Sequence, residues 1–436
     1  MRAVLTYVAL LALMTLTACA LDTGALVPST DSGTRVLDSS LSDTGFVDGA
    51  RPDGTSPDSG LLDGALPDSA SPDASVPDSS VPDAGSPCTA WGAQHFDPCA
   101  LPGTDMEVIL TADASYNTDT GVFRVGAVPL TVPNTVINQA GTDARLIAVD
   151  SFRIGAGVRL RVDGSMPLIV ASWGTIAIEG DLDVGSTRGG TTGAGANHSS
   201  CEVTAPTATG ASGTGGGGGG GFGGRGGNGG EGDSNNSGSG AFPGGLGGAA
   251  IAAPTIVRGG CPGAESGPDG GGTVAAEGAG GGAVQLSALG AITVSGRVLA
   301  GGAGGTGGPD SSAVGGGGAG SGGYIGLERS TVTVTGVLAA NGGGGGEGTD
   351  RSNTGNNGED SHADQSRAPG GGGATSIGTD GGMGGAGSQL AGADVPGVEA
   401  GGGGGDGGGG VGFVLVWSAD YTGSGAVISP AAMAVP

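Results

Sequence analysis

The sequence predicts an all-β fold: a right-handed parallel β-helix-like solenoid with long Gly-rich insertions, preceded by a disordered acidic linker. A nine-residue strand pattern recurs from residue 152 onward, glycine-rich segments follow it at one fixed point, and Asp recurs every five residues before it. The predicted parts are a lipoprotein signal peptide (1–18), a lipid-anchored linker (19–87), a cysteine-containing start of the folded region (88–145) and the solenoid (146–436).

The amino terminus carries an export signal. Arg2 precedes the apolar stretch from Ala3 to Leu16, which is shorter than the roughly 20 residues of a membrane span. Leu16-Thr17-Ala18-Cys19 resembles the lipobox of bacterial lipoproteins, which implies cleavage before Cys19 and acylation of the new terminus, including palmitate. The alternative is an ordinary secretory signal with Cys19 near the cut. Ala20 in place of Asp favours the outer membrane, and the cell surface is favoured over its periplasmic face.

The segment after Cys19 is an acidic tether. Between Ala20 and Pro87 the chain has twelve Asp and two Arg, and Asp recurs every five residues from Asp38 to Asp83. Many Pro residues and like charges preclude a packed core and favour an extended spacer. A calcium-binding array is the alternative. Calcium needs about six to eight converging oxygens, which single carboxylates along an extended chain do not supply.

Composition restricts the partners. The chain has 436 residues, 105 of them Gly, a net charge of −26 and 3% aromatic residues, and it has no Lys. An acidic chain without basic patches argues against nucleic acid as a partner. Without Lys there is no Walker A motif, and the abundant glycines open no helix that would bind phosphate. No cofactor is predicted.

The cysteines predict disulfides. Once Cys19 carries lipid, Cys88, Cys99, Cys201 and Cys261 remain. An even number in an exported protein indicates two disulfides, with three possible connectivities. The local pairs Cys88–Cys99 and Cys201–Cys261 are favoured. The competing interpretation, a metal site with His198 and Cys201, lacks further ligands.

The folded part repeats the pattern apolar-x-apolar-x-Gly-x-apolar-x-apolar. Strict alternation indicates strands with one buried face, and the central Gly marks a bend. A short alternating piece precedes each clear copy, so one unit of about 20 residues is typical of a solenoid rung. A β-sandwich is the alternative. The clear copies are Ile176–Val184, Ile292–Ala300 and Val332–Ala340, with a variant at Phe152–Leu160 that places Ala156 at the Gly position; Phe413, Leu415 and Trp417 resemble a terminal rung.

The insertions 185–282, 301–323 and 341–411 each leave after the third strand of a unit and return before the next unit. We therefore expect them to emerge on one edge of the stack. Glycine runs have no side chains to bury and a high ordering entropy. They are either disordered or packed as hydrogen-bonded polyglycine II helices, and composition leaves both open.

Catalytic residues are not predicted. Acids and arginines alternate with core positions on the outer strand faces, where the default is a solvated surface. A β-helical polysaccharide lyase or hydrolase would use such carboxylates in pairs, but only Trp173 lies near them as an aromatic platform. His95, His198 and His362 are far apart in sequence, and two Gly/Asp-rich segments lack the tandem repeat of calcium β-rolls. The outer-face residues are Arg159, Arg161, Asp163, Glu179, Asp181 and Asp183.

The segment Phe152–Gly185, within SFRIGAGVRLRVDGSMPLIVASWGTIAIEGDLDVGS, resembles the uncharacterised glycine-rich lipoproteins of myxobacteria and related delta-proteobacteria. Phe96-Asp97-Pro98-Cys99 and the rungs at 283–301 and 324–342 add to the resemblance. It implies a location in the cell envelope and no known activity.

Together these features predict a lipid-anchored cell-envelope protein with a structural or adhesive role and no catalysis. The expected partners are the membrane, through the lipid on Cys19, and envelope or matrix polysaccharide. The alternative is a β-helical polysaccharide-degrading enzyme.

Overall fold

The computed structural model describes residues 87–206, 213–233, 242–309, 313–350, 352–373, 378–395 and 402–435. Cys19, the signal sequence and the acidic linker up to residue 86 lie outside the described residues. The chain divides into the units Met1–Pro77 and Asp78–Pro436, and everything below concerns the second. The described part of the chain contains no helix that could span a membrane.

The described residues form strands and two short 3-10 helices, Pro87–Ala90 and Pro98–Ala100. The strands are β1 (Glu107–Leu110), β2 (Ala114–Asn117), β3 (Val122–Val125), β4 (Val128–Leu130), β5 (Asn134–Gln139), β6 (Thr142–Val149), β7 (Ser151–Ile154), β8 (Arg159–Asp163), β9 (Leu168–Ser172), β10 (Ile176–Ile178), β11 (Asp181–Asp183), β12 (Ala283–Ala288), β13 (Ile292–Val294), β14 (Arg297–Leu299), β15 (Tyr324–Glu328), β16 (Thr331–Val334), β17 (Val337–Ala339), β18 (Phe413–Trp417), β19 (Asp420–Thr422), β20 (Val427–Ser429) and β21 (Met433–Ala434).

These strands build three sheets. Sheet 1 has the order β1-β7-β10-β13-β16-β19, sheet 2 β20-β17-β14-β11-β8-β2-β3-β4, and sheet 3 β21-β18-β15-β12-β9-β6-β5. From β6 onward, consecutive strands join sheet 3, sheet 1 and sheet 2 in rotation, and their pairing is parallel. Antiparallel pairing joins β2, β3 and β4, and β5 with β6. The all-β prediction is confirmed, with parallel sheets.

One apolar core lies between the three sheets. Its side chains are the alternating positions of the repeat, such as Val170 from sheet 3, Ile178 from sheet 1 and Leu182 from sheet 2, all fully buried. Each strand contributes only a few residues to it. Burial therefore depends on stacking successive units, as in other repeat architectures.

The central glycines of the repeat allow a close approach between stacked units. A Cβ on Gly296 would lie 2.0 Å from the carbonyl oxygen of Gly180, and one on Gly336 would lie 1.9 Å from that of Gly296. Real Cβ atoms do not approach oxygen so closely. Glycine is required here because the carbonyl of the preceding unit occupies the side-chain position.

The structure contradicts the expectation that Ala156 stands at the Gly position of the variant repeat. Ile154 pairs with Ile178, and Leu160 pairs with Leu182. In the variant repeat, Leu160 lies six residues after Ile154, whereas in the clear copy Leu182 lies four residues after Ile178. Ala156 does not stand at the Gly180 position. It lies in a corner two residues longer, where Gly157 has a φ of +75°.

The glycine-rich insertions are packed through backbone hydrogen bonds; we call their described residues the glycine module. Segment 341–349 shows the arrangement. Successive backbone amides of this segment donate hydrogen bonds to three different neighbouring segments. Every third amide donates to the same neighbour. The bonds run from Gly342, Gly345 and Gly348 to the carbonyls of Gly385, Gly382 and Thr379, from Gly343, Gly346 and Thr349 to those of Gly320, Gly317 and Val314, and from Gly344 and Glu347 to those of Glu359 and Asn356.

A period of three residues is that of the polyproline II-type helix, which makes no internal hydrogen bonds. The carbonyls of the same segment accept from further neighbours, 302–308, 371 and 403–409. The segment is thus bonded on all sides. Of the two possibilities that composition left open, the described glycine residues adopt the packed, polyglycine II-type one.

Candidate functional site

Three of the four acids on the outer strand faces, Glu179, Asp181 and Asp183, are paired with arginines. Glu179 Oε2 lies 2.9 Å from Arg153 Nη2, and the hydrogen bond from Arg153 lowers the pKa of Glu179. Asp183 forms ion pairs with both Arg159 and Arg161.

The remaining outer acids also have partners. Asp181 pairs with Arg297, and Asp163 accepts a hydrogen bond of 2.7 Å from Asn117 Nδ2. These carboxylates therefore connect neighbouring strands. Their ion pairs and hydrogen bonds indicate a structural role, since each of these four carboxylates already has a partner.

The structure contains two disulfides, Cys88–Cys99 and Cys201–Cys261, with S–S distances of 2.02 and 2.05 Å. They are the local pairs that the sequence favours. The first joins the two 3-10 helices at the start of the described chain, and the second closes a loop within the first glycine-rich insertion.

The histidines bind polar partners. His198 hydrogen-bonds Thr142 Oγ1 and Ser200 Oγ, and His362 bonds Ser366 Oγ and Glu359 Oε2. Among the described residues, no group of three or more His, Cys, Asp or Glu is placed to hold a metal ion.

The outer face of sheet 3 carries a second apolar cluster, which includes the tryptophans. The segment held by the Cys88–Cys99 disulfide packs Trp91 and Phe96 against this face. Trp91 lies 5.0 Å from Trp173 and 5.7 Å from Phe96 between ring centroids, and Trp417 lies 5.7 Å from His95. All three tryptophans of the chain therefore belong to one surface.

A buried polar network lies beneath these rings. Ser287, Glu328 and Trp417 occupy the same register position on neighbouring strands. Trp91 Nε1 donates to Ser287 Oγ at 2.9 Å, and the backbone N–H of Gln94 donates to Glu328 Oε1 at 2.7 Å. The network joins the disulfide-held segment to sheet 3.

Glu328 is a nearly enclosed carboxyl. It is 4% exposed, and burial raises its pKa, although Ser287, Gln94 and Gln285 donate hydrogen bonds that oppose the rise. Burial also lowers the pKa of His95 to about 4. His95 is therefore neutral at pH 7.

Gln285 reaches Glu328 because its neighbour on β15 is a glycine. The Gln285 amide accepts from the hydroxyl of Tyr324 at 3.0 Å and donates to Glu328 Oε2 at 3.4 Å. A Cβ on Gly326 would lie 1.7 Å from Gln285 Oε1. Because Gly326 has no side chain, the side chain of Gln285 can pass over β15 at this position and reach Glu328.

A cleft opens beside Glu328, which we call the tryptophan cleft. Its volume is about 350 Å³, and its lining combines indole rings, a guanidinium, an amide and hydroxyls. Of the residues that line it, Glu328 alone carries a carboxyl group. The lining residues are Trp91, Gly92, Gln94, Glu328, Arg329, Ser330, Trp417, Ser418, Ala419 and Val435.

The sequence analysis missed this cleft. Trp91, Glu328 and Trp417 are far apart along the chain, and only stacking of the units brings them together. A signal was nevertheless present. Because Val284 and Leu286 point to the core, the alternate positions Gln285 and Ser287 must face outward, and the corresponding outward position on β18 is Trp417.

No protein-family model, no curated protein and no solved structure matches the chain.

Proposed function

We propose that the chain is a lipid-anchored cell-envelope protein with a structural or adhesive role. Lipid on Cys19 holds it in the outer membrane, and the acidic linker spaces the folded body from the membrane surface. The family relationship that we propose is with the glycine-rich lipoproteins of myxobacteria and related delta-proteobacteria. The proposal rests on the glycine module. Backbone hydrogen bonds join its segments to their neighbours, which gives a rigid body with few side chains.

We further propose that the three sheets are the faces of a right-handed parallel β-solenoid. The rotation of consecutive strands among the sheets and the core shared by all three support this arrangement. Parallel crossover connections are right-handed in about 98% of cases. A β-sandwich, the alternative, is built from antiparallel sheets.

A structural or adhesive role is favoured over polysaccharide cleavage. Glycosidases use two carboxyl groups that flank the bond. The outer-face acids that we considered for this role bind arginines or an asparagine, and the lining of the tryptophan cleft offers one carboxyl. No observation on the described residues specifically favours the enzyme.

The anchoring is tested by expressing the full chain and its Cys19→Ala variant in a Gram-negative host. We expect labelled palmitate to enter the parent chain and not the variant. On intact cells, added protease should digest the folded body of the parent. Protection until the outer membrane is broken would contradict surface display and an adhesive role.

Adhesion itself is measured as retention of intact cells on polysaccharide-coated surfaces. We expect cells that display the parent chain to be retained more strongly than cells that express Cys19→Ala. Equal retention of both, despite confirmed surface display of the parent, would contradict the adhesive role.

A further inference from the structure

We propose that the tryptophan cleft binds a pyranose unit of a neutral polysaccharide. The inference rests on the adhesive role proposed above and names the class of ligand. It requires an exposed aromatic face, polar groups arranged around it, and space for a small rigid ring. The described residues supply all three.

The aromatic face belongs to Trp417. Its ring is partly exposed, lines the cleft and is held edge-on by His95 at 5.7 Å between centroids. Trp91 is 6% exposed and lines the same cleft. A ring held by its neighbours loses little conformational entropy when a ligand stacks on it, so Trp417 is suited to receive a flat apolar surface.

Polar groups surround this face. Arg329 is partly exposed and Ser330 and Gln94 are exposed, and all three line the cleft. Among the described residues, Arg329 has no carboxylate within ion-pair distance. Its guanidinium is thus available as a hydrogen-bond donor. The guanidinium donates, and the hydroxyl of Ser330 and the side-chain amide of Gln94 both donate and accept, as the hydroxyls of a sugar require.

The charge of the chain favours a neutral sugar over an acidic one. The net charge is −26, which opposes the approach of an anionic polymer. A pyranose presents a flat C–H face to an indole and hydroxyls at its rim. The volume of about 350 Å³ lies at the small end of ligand sites, which suits one or two rings of a chain.

Binding is measured by affinity electrophoresis of the full chain carrying Cys19→Ala, which keeps the folded body unchanged and removes the lipid. The gels contain laminarin, mannan or dextran as neutral polysaccharides, or alginate as an acidic one. We expect at least one neutral polymer to slow the protein. Trp417→Ala should weaken that binding at least about tenfold, as for truncation of an aromatic anchor.

Trp417→Phe retains an aromatic face and should keep most of the binding. Arg329→Ala, at the rim, should weaken binding without changing the melting temperature. Phe242→Ala removes a partly exposed aromatic ring of the glycine module and serves as the matched control. It should bind as the parent does.

The proposal is wrong if none of the neutral polymers slows the protein, if alginate alone does, or if Trp417→Ala binds unchanged. Failure here is distinguishable from failure of the adhesive role. Cells that display Trp417→Ala and still adhere to the same polysaccharide would retain the adhesive role and place the binding elsewhere on the chain.

Discussion

At the scale of single residues, glycine is required in the module because backbone oxygens occupy the side-chain position. A Cβ on Gly345 would lie 2.2 Å from the carbonyl oxygen of Asp406, and one on Gly217 would lie 2.1 Å from that of Ala264. The obstructing atoms are backbone, so they cannot rotate away. The composition of these segments follows from packing and not only from the freedom of glycine.

Gly345→Ala is expected to lower the free energy of unfolding by about 3 kcal/mol, the upper range for overpacking. Gly103 is the matched control, since a Cβ there meets nothing within 4 Å. Gly103→Ala should change stability by only about 0.5 kcal/mol, in the stabilising direction. Denaturant unfolding of the full chain measures both, and equal effects would contradict the packed arrangement.

Asp406 is a buried acid inside the glycine module. It is fully buried, its Oδ1 accepts from the amide of Gly217, and its Oδ2 has no hydrogen-bond partner. Burial raises its pKa well above the ordinary value. The folded protein therefore holds a proton here at pH values where the unfolded chain, with a pKa of about 3.9, has released it.

Because the folded-state pKa is raised, Asp406 lowers stability progressively as the pH rises from about 4 towards that raised pKa. Asp406→Asn cannot ionise and should lack this contribution. We expect the unfolding free energy of the parent to fall more steeply with pH than that of the variant. Parallel curves from urea titrations between about pH 5 and 9 would show that Asp406 does not titrate as described.

At the scale of elements, each disulfide fixes a different part of the body. Cys88–Cys99 closes a loop with a sequence separation of 11 and holds Trp91 on sheet 3, whereas Cys201–Cys261 has a separation of 60. The guanidinium of Arg258 lies beside the second pair and 4.7 Å from the Phe222 ring. The longer loop constrains more of the unfolded chain.

Replacing Cys201 and Cys261 together by Ser should cost about 4 kcal/mol, and replacing Cys88 and Cys99 together should cost about 3 kcal/mol, on the chain-entropy estimate. Only the second change should also weaken polysaccharide binding, because it releases the segment that carries Trp91. Thermal unfolding and affinity electrophoresis separate the two effects. Loss of binding in both variants would contradict this division.

The strands of the repeat were predictable, because alternation with a period of two leaves one face to bury. Val284 and Leu286, Ile292 and Val294, and the preceding units all bury the predicted positions. The corner at Ala156 was not predictable. Val158 lies four residues after Ile154 and Leu160 lies six residues after it, and both are apolar. The pattern alone therefore does not show which of them corresponds to Leu182 of the clear copy.

At the scale of the whole molecule, the glycine module behaves as a second kind of interior. Buried apolar side chains hold the hydrophobic core together, while hydrogen bonds between backbone amides and carbonyls hold the glycine module together. Amides in segments 215–221, 341–349 and 403–410 are bonded to partners distant in sequence. Opening them requires separation of whole segments.

Hydrogen exchange on the full chain should therefore show protection of these glycine amides comparable to that of the strands in sheet 3. Glycine-rich sequence alone would lead to rapid exchange. The exposed hairpin residues around Gly126 and Gly141 provide a fast-exchanging reference. Exchange of the module at the rate of that reference would show that its packing does not persist in solution.

The sequence by itself determined the all-β class, the positions of the strands in the repeat and the points at which the insertions leave, because these depend on local alternation and composition. It also indicated the local cysteine pairs. The tertiary structure alone decided the state of the glycine runs and the site. A glycine segment has no side chain that could identify its neighbours, so its backbone partners appear only when the segments are placed together. In the same way, Trp91, Glu328 and Trp417 form a cleft only because the stacking of units brings one outward position from each distant segment onto the same face.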